Sequence, residues 1–377
     1  MKKPWILIAL GLVLVLAMAV PGRLRAGQGG VAGSYQVLAP IRQGNLTIFP
    51  VLSSHSRDTS QFLTLDEGLR SGEVVVTEAG SVAPLVRPRY PQSVWQEGHA
   101  EGARVNQLVL VNNSKRPLLL LAGEIVTGGK QDRIIGKDRL VPAESDPIDL
   151  SVFCVEPGRW VGSSASFKSP QLHGGTTGAM AQPSVRSKAM ADKDQEQVWN
   201  EVGKSRAAMT ETIQVSGGAV AAPLAELSQT SSYARAIENR AVAGKIDEVA
   251  GPLEQGYRSV IGQLRDKNAV GVVVAVNGQI IWADIFASTR LLEKYWPKLV
   301  RSYAAESMAQ RANSAPDDVS AALRFLDHLE GRREVVENEP GLYRHSEITG
   351  DGFKVFELTS LLPGTGFDLH LAKMSER

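Results

Sequence analysis

The chain has 377 residues, 43% of them hydrophobic, with 41 Lys and Arg against 40 Asp and Glu and a single Cys. That length and apolar content can bury one large core or two smaller ones. The near-neutral charge excludes the basic footprint of a nucleic-acid binder and the polybasic surface that holds to anionic lipid, and one Cys excludes an intramolecular disulfide.

The first twenty residues read as an export signal. Lys2 and Lys3 form a positive start, an uncharged apolar run extends from Trp5 to Val20, and Ala17-Met18-Ala19 supplies the small-x-small pattern that a signal peptidase cuts. The run is about 15 residues, short of the roughly 20 that span a bilayer. The expectation is a signal peptide over 1–19, the alternative an uncleaved anchor flanked by Arg23 and Arg25. Either places the body outside the cytoplasm, periplasmic or secreted, with membrane contact only through the N-terminal segment if it stays uncut. Losing Lys2 and Lys3 lowers the formal charge from +1 to −1.

Residues 34–161 carry a mainly β pattern. A loosely alternating run at 45–52 is followed by one short helix, 64–72, with Thr64 as N-cap and Gly72 at its end. Short segments rich in Val, Ile and Leu follow at 73–77, 105–111, 117–121, 131–135 and 148–155, separated by Gly, Pro, Asn and Ser. Thr127-Gly128-Gly129-Lys130 reads as a hairpin loop that sets Glu124 and Arg133 on neighbouring strands. Residues 162–190 lose the periodicity, and their Ser, Gly, Gln, Thr and Pro predict a flexible surface insert.

Residues 191–377 mix helices and strands. Helical patterns cover 192–210, 232–249 and 252–267, with a break expected at Gly251-Pro252 and a weak Ala/Gly/Ser stretch at 216–231. Asn277-Gly278, between VGVVVAV and QIIWADIF, is the strongest short-range hairpin signal. Ser288 or Thr289 then caps a helix to about Met308, and 317–330 is another. Strand patterns at 334–337, 343–346, 353–358 and 367–372 close the chain. The fold class is α+β: an N-terminal β-rich half of sandwich-like antiparallel strands, then helices packed on a smaller antiparallel sheet, the two compatible with one compact domain.

The densest polar clusters are Glu124/Lys130/Gln131/Arg133 and Cys154/Glu156/Arg159/Trp160. Lys130, Gln131 and Arg133 follow a glycine loop, where backbone N–H groups and cations can receive a phosphate or carboxylate; an exposed, charge-protected hairpin is the competing reading. Trp160 beside Arg159 suits stacking on a flat ligand. Glu124 and Glu156 have the residue types for paired acid–base hydrolysis, against salt bridges of Glu124 with Arg133 and of Glu156 with Arg159. Cys154 shares strand parity with Ile148, Leu150 and Val152, so it reads as a small core hydrophobe rather than a nucleophile. P-loop, zinc, calcium and G-x-S-x-G patterns are absent, and the sequence implies no metal and no cofactor.

The string E-x-x-x-GGKQ-x-R, then L-V-P-A, then C-V-E-x-GRW, resembles a bacterial domain family of unassigned function, named for genomic association with ADP-ribosylglycohydrolases and rhodanese-phosphatases. The matching positions are Glu124, Gly128–Gln131, Arg133, 140–143, Cys154–Glu156 and Gly158–Trp160. The resemblance extends over Trp199, the Asn277-Gly278 hairpin and the helix from Thr289. It implies an ADP-ribose or nucleotide-derived ligand. The leading expectation is therefore an exported binding protein whose partner is a small anionic molecule, neutralised by Lys130, Arg133 and Arg159, oriented by Gln131 and stacked on Trp160. A hydrolase using Glu124 and Glu156 and a non-catalytic envelope scaffold are the alternatives. Whether the chain is an enzyme stays open, and nothing in the sequence points to a protein partner.

Overall fold

The computed structural model describes residues 35–79, 107–170, 178–215, 221–262, 268–310 and 318–376. The expected signal segment lies outside them, as do the start of the strand expected at 105–111, part of the 216–231 stretch and the end of the helix expected to reach 267. Among the described residues no helix is long and apolar enough to cross a membrane.

The chain is α+β. It begins with β1 (Tyr35–Val37), β2 (Ile41–Gln43), β3 (Leu46–Ser53) and β4 (Leu63–Thr64). Helix α1 (Leu65–Ser71) forms where the sequence signals it. The Thr64 side chain accepts from Glu67 N, Glu67 reaches back to Thr64 N, and Gly72 closes the helix in the left-handed region at φ 72°. Strands β5 (Val74–Glu78), β6 (Gln107–Asn112), β7 (Leu118–Leu120), β8 (Ile125–Val126), β9 (Arg133–Ile135), β10 (Arg139–Val141) and β11 (Ile148–Cys154) complete the β-rich half.

Next come α2 (Pro183–Ser187), a single π turn (Lys188–Asp192), α3 (Gln195–Val215), α4 (Ala221–Gln229), α5 (Tyr233–Glu238) and α6 (Arg240–Gly262). Strands β12 (Asn268–Val276) and β13 (Gln279–Phe286) flank Asn277-Gly278, both with positive φ as the tight hairpin requires. Helix α7 (Thr289–Met308) is capped by Ser288, whose hydroxyl accepts from Leu291 N. It is followed by α8 (Val319–Asp327), β14 (Arg332–Glu339), β15 (Tyr343–Gly350), β16 (Phe353–Ser360) and β17 (Asp368–Ser375).

The largest sheet has nine strands in the order β1-β3-β12-β13-β17-β16-β15-β14, with β2 also on β3. Thus β3 of the N-terminal half is the hydrogen-bonded neighbour of β12, and the sheet built on the C-terminal strands, which also takes in β1 to β3, is the largest among the described residues. Alternate residues of the strands face opposite ways. Ile48, Val272, Val274, Trp282, Phe286 and Leu358 share one core with Leu292, Tyr295 and Leu299 of α7. Phe49, Val51, Val273, Ala283 and Ile285 cluster with Ala322 and Leu326 of α8. The smaller sheets, β5-β6-β11-β9-β8 and β10-β7-β4, enclose their own cluster, including Leu63, Val76, Leu110, Leu118 and Val152.

Several stretches depart from expectation; residues 221–229, read as part of a weak Ala/Gly/Ser stretch, fold as α4, and β10 falls where no strand is expected. Within the stretch 162–190, of which 171–177 lie outside the described residues, 162–165 are exposed, but Phe167, Met180, Val185 and Arg186 are buried. Its polar composition hides a segment that fills the core, where Met180 and Val185 join the main cluster. The helical break falls at Asn239 rather than at Gly251-Pro252. Asn239 leaves helical geometry (φ −53°, ψ 129°), caps Ala241 N through its side-chain oxygen at 3.1 Å and donates to Pro223 O at 2.8 Å. Pro252 is carried inside α6, on a helix that buries Val242, Ile246, Ala250 and Leu253.

Candidate functional site

The glycine loop between β8 and β9 folds as a hairpin, with Val126 opposite Arg133 and Ile125 opposite Ile134. Gly128 (φ 132°) and Gly129 (φ 50°) take conformations unfavourable to other residues. At Gly129 a Cβ would lie 2.3 Å from Phe167 Cζ and 2.6 Å from Glu78 Oε1, so backbone and neighbours approach as only glycine permits. The loop's amides already have partners. Gly128 N donates to Asp132 Oδ1 (3.1 Å), Gly129 N to Ser164 Oγ (3.2 Å) and Lys130 N to Glu78 Oε1 (2.8 Å). The backbone anion nest expected from the sequence is therefore occupied by the chain's own side chains.

Arg133 is fully buried; Nη1 donates to Gln131 O at 2.7 Å, Glu78 Oε1 stops 4.0 Å from Nη2, and Nε and Nη2 have no hydrogen-bond partner. Burial lowers its pKa from the usual guanidinium value, against the pull of Cys154, Glu78 and Asp132. Lys130 Nζ lies 5.2 Å from the centre of the Trp160 ring and the Arg133 guanidinium 5.9 Å from it. Trp160 is 41% exposed. Gln131 is buried, with Nε2 donating to Glu156 O at 2.9 Å and Oε1 unpartnered.

Arg159 ties the two motif halves together. It pairs with Glu156 at 2.6 Å and Asp132 at 3.5 Å, and donates to the carbonyls of Gly129 (3.0 Å) and Val161 (2.8 Å). The Glu156 hydrogen bond raises the Arg159 pKa. Glu156 also accepts from Asp132 N at 3.1 Å. Asp132, raised by burial and next by Glu156 despite the hydroxyl it accepts from Ser232 at 2.6 Å, anchors the rim to the start of α5. Sequence reasoning missed Glu78, Asp132 and Ser232. Asp132 sits inside the motif itself, whereas Glu78 and Ser232 carry no local signal. The Cys154 thiol is buried, and burial pushes it up to about 11.

Glu124 does not join this rim. It is buried, pairs with Lys298 of α7 rather than with Arg133, and accepts from Leu121 N at 2.7 Å. Burial raises its pKa, opposed by Lys298. Lys298 also holds Asp66 at 2.9 Å. Among the described residues no hydrogen bond or ion pair links Glu124 to Glu156.

A second buried network lies on the large sheet. His370 Nδ1 donates to Asp138 at 2.5 Å and Nε2 to Asp284 at 3.1 Å; Arg186 pairs with Asp284 through both Nη atoms, at 2.9 and 3.0 Å, and Tyr303 donates its hydroxyl to the same carboxylate. Asp138, Arg186, Asp284 and His370 are all fully buried. Asp284 and His370 interrupt the apolar strands QIIWADIF and DLHLAKM, the one sequence signal that could have marked them. Among the described residues no group of three or more His, Cys, Asp or Glu is placed to hold a metal ion.

Fold and site define an α+β domain built around a Gly-Gly-Lys-Gln hairpin and a Gly-Arg-Trp corner, two motifs locked by Arg159. The chain belongs to the ARG and Rhodanese-Phosphatase-superfamily-associated Protein domain family, whose model matches residues 34–372. No curated protein and no solved structure matches it.

Proposed function

We propose that this is an exported protein that binds a small anion bearing a flat ring, in the manner of a nucleotide or ADP-ribose, at the Lys130–Arg133–Trp160 rim. The carrying observation is Arg133, fully buried behind the exposed Trp160, with no hydrogen bond at Nε or Nη2 and only the 4.0 Å approach of Glu78 at Nη2. A buried donor left unmade costs about 1–3 kcal/mol, more when charged, so a two-oxygen acceptor such as phosphate gains by filling it. Among the described residues no carboxylate oxygen lies within 4.0 Å of Lys130 Nζ, which leaves that cation for the ligand. Trp160 then offers ring surface for stacking. Arg159, whose Nη atoms are held by Glu156, Asp132 and the carbonyls of Gly128, Gly129 and Val161, sets the loop geometry. Hydrolysis by paired carboxylates has less support, because Lys298 holds Glu124 and Arg159 holds Glu156.

The test is thermal shift and calorimetry with AMP, ADP-ribose, ribose 5-phosphate and inorganic phosphate. Wild type is stabilised by AMP or ADP-ribose more than by ribose 5-phosphate; Lys130→Ala weakens every phosphorylated ligand, and Trp160→Ala abolishes the preference for a base. Equal stabilisation of wild type and both variants by these ligands removes the site from this rim. Export is tested by cell fractionation and the mass of the mature N-terminus; a cytoplasmic chain retaining Met1–Ala19 defeats it.

A further inference from the structure

Strand β14 ends the nine-stranded sheet, pairing with β15 on one side and with no described strand on the other. Every residue from Arg332 to Glu339 except Glu337 is exposed, and Val335 (52%) and Val336 (43%) are large hydrophobics in water. A long edge strand with unpaired backbone groups is a template for another strand.

The charges along β14 are polarised. Arg332 and Arg333 open the strand, and Glu337 and Glu339 close it. Register with β15 sets Arg332, Glu334, Glu337 and Glu339 opposite Thr349, Glu347, His345 and Tyr343, and the four share one face because a bulge leaves Val336 as an extra, unpaired residue between Val335 and Glu337. A second copy of β14, laid antiparallel about a two-fold axis normal to the sheet, keeps that face on the same side. With Val335 against Val336 at the axis, Arg332 of each copy meets Glu339 of the other. The remaining acidic pair, Glu334 against Glu337, is relieved on both sides: Arg332 stands 3.5 Å from Glu334, and Lys137 pairs with Glu337. A one-sign charged edge repels its own copy; this one complements it.

We infer that β14 is a homodimer interface, joining two nine-stranded sheets edge to edge through an isologous antiparallel pair. The strand spans roughly 27 Å at the usual rise per residue, so the interface is small and the dimer forms in the micromolar range. This proposal is independent of the ligand site.

Sedimentation velocity on the full chain, from micromolar to near-millimolar concentration, tests it. Wild type shifts from monomer to dimer over that range. Arg332→Glu or Glu339→Arg alone weakens the dimer about tenfold, since each swap is felt twice across the two-fold axis, and Arg332→Glu combined with Glu339→Arg restores it. Circular dichroism confirms that the exposed swaps leave the fold intact. A chain that stays monomeric throughout, or a dimer indifferent to the single swaps, overturns the inference.

Discussion

Replacing Asp284 by Asn keeps the shape of the most connected side chain in the core and removes its charge. Asp284 receives two hydrogen bonds from Arg186, one from Tyr303 and one from His370, all in full burial. The folded state holds this carboxylate far below the usual acid range, because Arg186 and His370 more than offset the cost of burial. Asn leaves Arg186 buried without its counter-ion and turns an amide N–H₂ toward groups that are themselves donors. Breaking a buried pair from one side costs about 3–5 kcal/mol, a large part of the 5–15 kcal/mol typical of a whole domain. For a folded body of roughly 340 residues the unfolding entropy is about 0.7 kcal/mol/K, so the expected fall in Tm is about 4–7 °C. Guanidinium unfolding followed by tryptophan fluorescence is well placed to read it, since the Arg186 guanidinium lies 4.6 Å over the Trp282 ring. Arg186→Met should cost a similar amount, and Arg186→Met with Asp284→Asn less than the sum, with a coupling above about 1 kcal/mol. An Asp284→Asn protein within about 1 kcal/mol of wild type would refute the account of this network as a mutually dependent charge cluster.

The remaining expectations are narrower. His370 is raised from 6.5 to about 9 by Asp138 and Asp284 against the opposing effect of burial. Its protonated form therefore contributes stability that is complete below pH 6.5 and lost as pH rises through about 9, amounting to about 3 kcal/mol for this shift. Lys373, pushed down to about 8 by burial, acts with opposite sign as pH rises, so the quantity to follow is the Tm difference between wild type and His370→Gln, which should shrink toward pH 10; a constant difference contradicts the assignment. Gly123 has φ 87°, and a Cβ there would lie 2.5 Å from Arg186 Cγ. Gly123→Ala should thus cost about 1–3 kcal/mol through overpacking and strain, measured as a lower denaturation midpoint. The Cys154 thiol, buried and raised to about 11, should resist Ellman's reagent at pH 8 in the native protein and react only on unfolding; fast native labelling would mean that β11 opens.

Local chemistry was legible in the residues. The Thr64/Glu67/Gly72 helix, the Asn277-Gly278 hairpin and the Ser288-capped α7 all rest on hydrogen bonds between neighbours a few positions apart. So did the alternation that buries Leu150, Val152 and Cys154 on one side of β11. The two rim motifs lie about thirty residues apart, and the antiparallel pairing of β9 with β11, Arg133 opposite Cys154, brings Lys130 to Trp160. Composition misled at 178–190, where small and polar residues read as solvent-exposed, and at Asn239, a helix-capping residue passed over in favour of a nearby proline.

By itself, the sequence determined the capped helices at 65–71 and 289–308 and the Asn277-Gly278 hairpin, because such preferences are settled by φ/ψ limits, caps and periodicity within a dozen residues. Tertiary structure alone decided which charges neutralise which. Lys298 reaches Glu124 across 174 positions, His370 reaches Asp138 across 232, and Arg186 reaches Asp284 across 98. Each pairing exists because burial makes an unpaired charge costly, and burial is a property of the packed sheets and helices rather than of any stretch of chain.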